Sequence, residues 1–122
     1  MSDPSQGWIG VDLDGTLAQY DGWKGNGVIG PPVPLMLERV KEWLALGMVV
    51  KIVTARAGNI TDEAAIFHWC EEHLGQPLPV TDRKDFGMIV LWDDRCVAVE
   101  QNTGVVIKRD WPGMDLRRRH KG

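Results

Sequence analysis

Several features that would place a chain in a specialised class of protein are missing from this sequence. It has only two cysteines, Cys70 and Cys96, which lie in apolar surroundings without metal-type spacing, so we predict reduced thiols rather than a disulfide. The net charge of −3 argues against a strongly charged nucleic-acid binder. There is no long uncharged apolar run, and residues 1–6 lack the basic and apolar regions of a signal peptide. We therefore expect a cytoplasmic protein with no membrane partner.

The glycine-rich motifs of common nucleotide-binding folds are also missing. No helix is predicted to open within the glycines of residues 22–30, so they are not a dinucleotide-binding fingerprint, and no Gly-Lys-Ser/Thr of a P-loop occurs. What remains is an ordinary globular composition, 43% hydrophobic and 25% charged, in a chain of 122 residues. This length predicts one domain over residues 1–122.

Apolar strand patterns alternate with helical ones along the chain. We predict strands over 8–12, 48–53, 78–81 and 88–92, a helix that starts near Pro34 and ends at Gly47, and a second helix capped by Thr61 and closed by Gly75. A hairpin is predicted from residues 96–100 and 105–108. This order predicts an α/β, Rossmann-like three-layer domain with a mainly parallel sheet and a C-terminal β-hairpin. We expect the core over about 7–110, a flap-like loop over 18–33 and a loose tail over 111–122.

Two carboxylates follow the first strand, at Asp12 and Asp14. Residues two apart in an extended chain point to the same side, so these carboxylates should repel, and one would tend to protonate. A divalent cation removes that conflict, and oxygen ligands of this kind suit Mg²⁺. The simpler interpretation is a strand that runs into an Asp-Gly turn at Gly15.

Polar residues follow two other predicted strands as well. Thr54 and Arg56 come after the second strand, and Asp93 and Asp94 come after the fourth. Ligands of parallel sheets bind beyond the carboxyl ends of the strands, so we expect these residues to converge on Asp12. An Asp-Gly turn alone does not explain this convergence.

The segment Asp12-Leu13-Asp14-Gly15-Thr16-Leu17 resembles the first motif of the haloacid dehalogenase superfamily, most of whose members are Mg²⁺-dependent phosphatases. The resemblance implies that Asp12 is the nucleophile and that Asp14 is the general acid and base. It also implies that Mg²⁺ binds Asp12, Asp14 through its backbone carbonyl, and the acidic pair. We expect Asp94 to be the direct ligand and Asp93 an outer partner, although the reverse order is also open.

The other family motifs are less complete. Thr54 resembles the second motif, whose hydroxyl holds a phosphoryl oxygen, and the alternative is a strand-end threonine with a local backbone bond. Arg56 is expected to bind the substrate phosphate, to pair with an acid, or to be solvated. Lys84 is the candidate for the catalytic third-motif lysine, but it lies only ten positions before Asp94, where relatives place a full helix. Two other cations, Arg83 and Lys51, are possible substitutes.

These motifs together predict a phosphomonoester hydrolase that forms an aspartyl-phosphate intermediate. The segments 18–33 and 57–80 are too short for a cap domain, so we expect an open site, which in this superfamily often suits macromolecular ends or is covered by oligomerisation. Trp23 and Lys24 are predicted to bind substrate by stacking and by charge, unless Trp23 folds onto the core. The expected substrate is a nucleotide or a nucleic-acid end, with a sugar phosphate close behind.

Two other functions remain open. The displaced lysine is compatible with a non-catalytic module that binds phosphate or metal, and a phosphotransferase would use an acceptor other than water. The basic run 117–121 either attracts nucleic acid or is simply solvated.

Overall fold

The computed structural model describes residues 7–107 and contains a four-stranded sheet with two helices. The strands are β1 (Trp8–Asp12), β2 (Val50–Val53), β3 (Val80–Thr81) and β4 (Met88–Trp92), and the helices are α1 (Pro34–Ala45) and α2 (Ile60–Leu74). The strand order is β3-β2-β1-β4, and every neighbouring pair is parallel. The predicted α/β class is therefore confirmed, and the architecture is consistent with a Rossmann-like three-layer fold in which, among the described residues, the connection 82–87 and not a helix lies on the second face of the sheet.

Both helices pack on one face of the sheet. The crossovers β1–α1–β2 and β2–α2–β3 run in the same direction across the sheet, and right-handed connections then place their helices on the same side. The buried apolar side chains agree with this, because one cluster joins the two central strands to both helices: Ile9, Val11, Val50, Ile52, Met36, Val40, Ile66, Trp69 and Cys70. This packing fixes the carboxyl ends of β1 and β2, where the candidate site lies.

The opposite side of β1 carries Trp8, which is 5% exposed. The connection 82–87, which leads from β3 to β4 without a helix, supplies Asp85, and its Oδ1 accepts a hydrogen bond of 2.8 Å from Trp8 Nε1. The Lys51 ammonium lies 4.6 Å from the centre of the Trp8 ring. Only the turn before β4 and β4 itself lie between Lys84 and the acidic pair, so this spacing has no room for a helix, as predicted.

Some predicted boundaries differ from those of the structure. The second strand begins at Val50 and not at residue 48, because the N–H of Met48 donates to the carbonyl of Trp43 in the turn that ends α1. The third strand is confined to Val80–Thr81. Thr61 is not the cap of α2, because Asn59 holds that position and its side chain accepts the Asp62 N–H at 3.0 Å.

The predicted hairpin is present in reduced form. Its two strands amount to one antiparallel bridge between Val99 and Val106, closed by the turn 101–103. Residue 108 and the predicted tail 111–122, with its basic run, lie outside the described residues. In the part of the chain that the structure describes, no helix combines the length and the apolar character needed to cross a membrane.

The flap-like loop 18–33 is attached to the core at its base. Ala18 and Pro32 form an antiparallel bridge, and Trp69 of α2 donates from Nε1 to the carbonyl of Gly30 at 2.9 Å. The exposed part of the loop is its tip, residues 19–24 and Asn26, together with Val28 and Pro31. The loop is thus attached to the core beside the carboxyl end of β1 and does not form a separate cap.

Candidate active site

Three carboxylates meet at the carboxyl ends of β1 and β4. Asp12 ends β1, and Asp93 and Asp94 directly follow β4, whose Trp92 is paired with Val11. One oxygen from each of the three carboxylates lies within 4.8 Å of the others. Residues that are more than 80 positions apart in the chain therefore form one acidic cluster, as the strand pattern predicted.

The cluster leaves Asp12 in an unfavourable environment for a charge. Burial is the largest cause that raises the pKa of Asp12, and the charge of Asp93 and the contact with Asp94 raise it further, from 3.8 to about 7. A cation bound between the carboxylates would oppose all of these effects and favour the ionised form. The donor set, which consists of carboxylate oxygens, fits a hard divalent cation.

The turn after β1 holds Asp94 in place. The Thr16 hydroxyl accepts the N–H of Asp94 at 3.0 Å and lies 3.2 Å from its Oδ1 and 3.4 Å from Oδ2 of Asp12. Gly15 has a φ of +92°, and a Cβ there would lie 2.6 Å from Oδ2 of Asp94. Only glycine therefore fits between β1 and Asp94. Thr16 was not predicted as a site residue, although its place inside the first motif was a signal.

Thr54 lies beside this cluster. It directly follows β2, is 5% exposed, and lines the same cleft as Asp12. Its hydroxyl accepts the N–H of Arg56 at 3.1 Å, which is the local backbone bond of the simpler interpretation. A hydroxyl that accepts one bond still has a proton to donate, so the predicted contact with a phosphoryl oxygen remains compatible with this geometry.

Arg56 is a buried ion-pair centre. Its Nε and Nη2 donate to the two carboxylate oxygens of Asp14 at 2.8 and 3.1 Å, and Nη1 donates to Asp62 at 2.9 Å. Nη2 also donates to the carbonyl of Val28 at 2.8 Å. The hydrogen bonds to Asp14, and then those to Asp62, raise the pKa of Arg56. Of the three predicted environments for Arg56, the structure shows the pairing with acids.

Asp62 was not predicted as a site residue. Its side chain is 3% exposed and paired with Arg56. An acid six positions after an arginine that follows a strand was the available signal, but the same spacing is common on solvated surfaces.

The acidic cluster opens into a cleft of about 480 Å³. Asp14, Thr54, Trp23 and Arg95 are among its lining residues. Trp23 is 58% exposed and its ring centre lies 4.8 Å from the Arg56 guanidinium carbon, so it packs at the rim of the cleft and not in the core.

Lys24 lines a neighbouring cleft of about 320 Å³ together with Asp14 and Tyr20. Its ammonium lies 3.1 Å from a carboxylate oxygen of Asp21, and both side chains are largely exposed. The predicted contact of Lys24 with substrate therefore requires a ligand that extends beyond the acidic cluster along the loop 18–33.

The predicted third-motif lysine is not among the residues lining the two clefts that contain Asp12. Lys84 is exposed in the connection 82–87, and Lys51 is engaged with Trp8 on the other side of the sheet. Arg95, which was not predicted as a site residue, lines both of these clefts. The structure thus places a different cation beside the carboxylates.

Comparisons with known proteins bear on the fold of the chain. No protein-family model matches it, and no curated protein matches it. Among solved structures, the chain is similar to a conserved protein from Bacteroides thetaiotaomicron, with a TM-score of 0.55 and 20% sequence identity over 95% of this chain and 92% of that one. A likeness at this identity concerns the fold alone.

Proposed function

We propose that this protein is a Mg²⁺-dependent phosphomonoester hydrolase that works through an aspartyl-phosphate intermediate. The observation that carries the proposal is the approach of Asp12, Asp93 and Asp94 to within 4.8 Å at the carboxyl edge of a parallel sheet. Ligands of such sheets bind at this edge. The resemblance of residues 12–17 to the first motif of the haloacid dehalogenase superfamily supplies the reaction type.

The proposed cation would be held by Asp12 and by Asp94, with Asp93 as an outer partner and the backbone carbonyl of Asp14 as a further ligand. The carboxylates alone suit several hard cations, and the choice of Mg²⁺ comes from the resemblance. When bound, Mg²⁺ would withdraw charge from the phosphoryl oxygens and keep Asp12 ionised.

In the proposed reaction, an oxygen of Asp12 attacks phosphorus and forms an acyl phosphate as the ester P–O bond breaks. Asp14 gives its proton to the leaving oxygen. It then takes a proton from the water that attacks the acyl phosphate, which releases inorganic phosphate and restores Asp12. The Thr54 hydroxyl donates a hydrogen bond to a phosphoryl oxygen. Arg95 takes the role predicted for Lys84 and offsets the charge of the phosphoryl group.

The proposed substrate carries a planar group next to its phosphate, as a nucleotide or a nucleic-acid end does. Support comes from two exposed aromatic side chains at the rim of the cleft, Tyr20 at 49% and Trp23 at 58% exposure. A base could stack on either ring while its phosphate reaches Asp12. A sugar phosphate would use the cleft without this stacking. A cytoplasmic location and a homo-oligomer that covers the open cleft are further parts of the proposal.

A non-catalytic module that binds phosphate or metal is the second candidate. The observation that favours it is the engagement of Arg56 by Asp14 and Asp62, which leaves few of its donors for a substrate. In this case the protein would bind Mg²⁺ and phosphate but would not turn over.

The decisive experiment measures hydrolysis of p-nitrophenyl phosphate, nucleotides, sugar phosphates and end-phosphorylated oligonucleotides with Mg²⁺ or with a chelator. We expect Asp12→Asn to lower kcat/KM by about 1,000-fold or more, because it removes the nucleophile. Asp85→Asn is the matched control, since this residue binds Trp8 outside the clefts that contain Asp12. Acid-quenched samples of the wild type should contain phosphorylated Asp12. Activity that survives Asp12→Asn or the chelator rules the proposal out, and Mg²⁺ binding without turnover supports the module.

A further inference from the structure

Asp62 is the most deeply buried carboxylate among the described residues that contact the cleft. It lies in the first turn of α2, and its Oδ1 accepts two hydrogen bonds, from Nη1 of Arg56 at 2.9 Å and from the N–H of Gly27 at 2.7 Å. A carboxylate on a side chain that is only 3% exposed needs such partners, because an unpaired buried charge is strongly destabilising. Asp62 therefore joins the start of α2 to the loop 18–33 and to Arg56.

Arg56 links Asp62 to Asp14, the proposed proton donor. Its planar guanidinium holds both oxygens of Asp14 while another N–H is held by Asp62. Because the guanidinium is rigid, fixing it at the Asp62 end also fixes the orientation of the Asp14 carboxylate at the other end. The bond from Nη2 to the carbonyl of Val28 fastens the loop to the same group.

The neighbouring acid shows that capping α2 does not explain Asp62. Glu63 belongs to the same first turn and also favours the helix dipole, but it is exposed, and its carboxylate accepts the N–H of Gly58. Within residues 7–107, the Arg56 side chain donates to Asp14, Asp62 and the carbonyl of Val28, and not to Glu63. Two acids of equal charge at one helix end thus have different partners, and only Asp62 is linked to Asp14.

We infer that Asp62 is a positioning residue that, by holding Arg56, keeps the Asp14 carboxylate and the loop 18–33 in the arrangement needed to protonate the leaving group. This inference rests on the proposed function. Asp62 touches neither the acidic cluster nor the reacting atoms, and it acts through Arg56. Without it, Arg56 can turn away and Asp14 loses its fixed direction toward the ester oxygen.

Leaving-group dependence tests this role. An aryl phosphate such as p-nitrophenyl phosphate needs little protonation of its leaving oxygen, whereas β-glycerol phosphate needs full protonation. For Asp62→Asn we expect kcat/KM to fall by about 10- to 100-fold on β-glycerol phosphate and by less than about 3-fold on p-nitrophenyl phosphate. Glu63→Gln, which removes the same charge from the same helix turn, should leave both values within about 2-fold of the wild type.

A second measurement does not depend on catalysis. Lys24 is the only lysine or arginine in residues 18–33, so trypsin cleavage after Lys24, followed by mass spectrometry, reports release of the loop. Cleavage should be faster in Asp62→Asn than in the wild type or in Glu63→Gln. If Asp62→Asn does not fold, Arg56→Lys provides the same test. Lysine keeps the positive charge but cannot hold Asp62 and both oxygens of Asp14 at once with a planar guanidinium.

The outcomes separate the inference from the proposed function. Equal losses on the two substrates, or a trypsin rate unchanged from that of Glu63→Gln, would overturn the role of Asp62. A wild-type protein that hydrolyses neither substrate would instead overturn the phosphatase itself.

Discussion

Replacing Asp12 by asparagine is expected to make the metal-free protein more stable at neutral pH. The pKa of Asp12 is raised by burial, and then by Asp93 and Asp94, from 3.8 to about 7. The folded protein therefore binds this proton more tightly than the unfolded chain does. The stability contributed by Asp12 is complete below about pH 4 and is lost as the pH rises toward about 7. Asparagine does not ionise, so the variant avoids this loss.

The size of the effect follows from the same pKa change. At ~1.4 kcal/mol for each pH unit, the rise from 3.8 to about 7 gives an upper bound of about 4 kcal/mol at pH 8. Asp12 is only partly buried, so solvent screens part of this free energy. We expect a gain of about 1–2 kcal/mol in the free energy of unfolding, close to zero at pH 4.

Urea unfolding of the wild type, Asp12→Asn and Asp85→Asn in a chelator, at pH 4 and at pH 8, measures this difference. Asp85→Asn provides a control of opposite sign: the hydrogen bonds from Trp8 and Gly87 lower the pKa of Asp85, so this variant should lose stability at pH 8, where Asp12→Asn gains it. Adding Mg²⁺ at pH 8 should then stabilise the wild type more than Asp12→Asn, because only the wild type retains the full set of ligands. A variant that is less stable than the wild type at pH 8 in chelator, or a difference that does not change with pH, would refute the reasoning.

Two further predictions concern the surroundings of the cluster. Gly15→Ala places a Cβ against Oδ2 of Asp94 at a residue with positive φ. We therefore expect the free energy of unfolding, measured with urea, to fall by about 1–2 kcal/mol and Mg²⁺ binding, measured by calorimetry, to weaken by at least about 10-fold. Unchanged binding would show that Asp94 is not a ligand. Arg95 lines the clefts at Asp12, so Arg95→Gln should raise the KM for phosphate esters by about 10-fold in steady-state kinetics. Lys84→Gln should raise this KM by less than about 2-fold. A larger effect of Lys84→Gln than of Arg95→Gln would return Lys84 to the site.

The sheet was predictable because its strands are short apolar runs with polar residues at their ends. Both β1 and β4 have the predicted bounds, since Asp12 and Asp93 end their apolar patterns abruptly. The cap of α2 was placed two residues late, because Asn59 and Thr61 are both good caps and only the backbone geometry decides between them. Parallel pairing then brought the acidic cluster together without any knowledge of side-chain positions.

The ion pairs of Arg56 could not be predicted to the same degree. They join residues 6 and 42 positions away, and no periodic pattern connects such positions. The choice among phosphate, acid and solvent depended on burial, which the loop 18–33 creates by closing over the guanidinium. In the same way, the position of Lys84 depended on the path of the connection 82–87 and not on its distance from Asp94 along the chain.

The position of β4 has a consequence for how ion occupancy and chain motion are linked. Among the described strands it pairs with β1 alone, so it is an outermost strand, and two of the three carboxylates are attached directly to its end. An ion bound by these carboxylates and by Asp12 would connect the edge strand β4 to the central strand β1. Local unfolding of β4 would then require the ion to dissociate first, so the cation of the proposed reaction would also slow amide hydrogen exchange in β4.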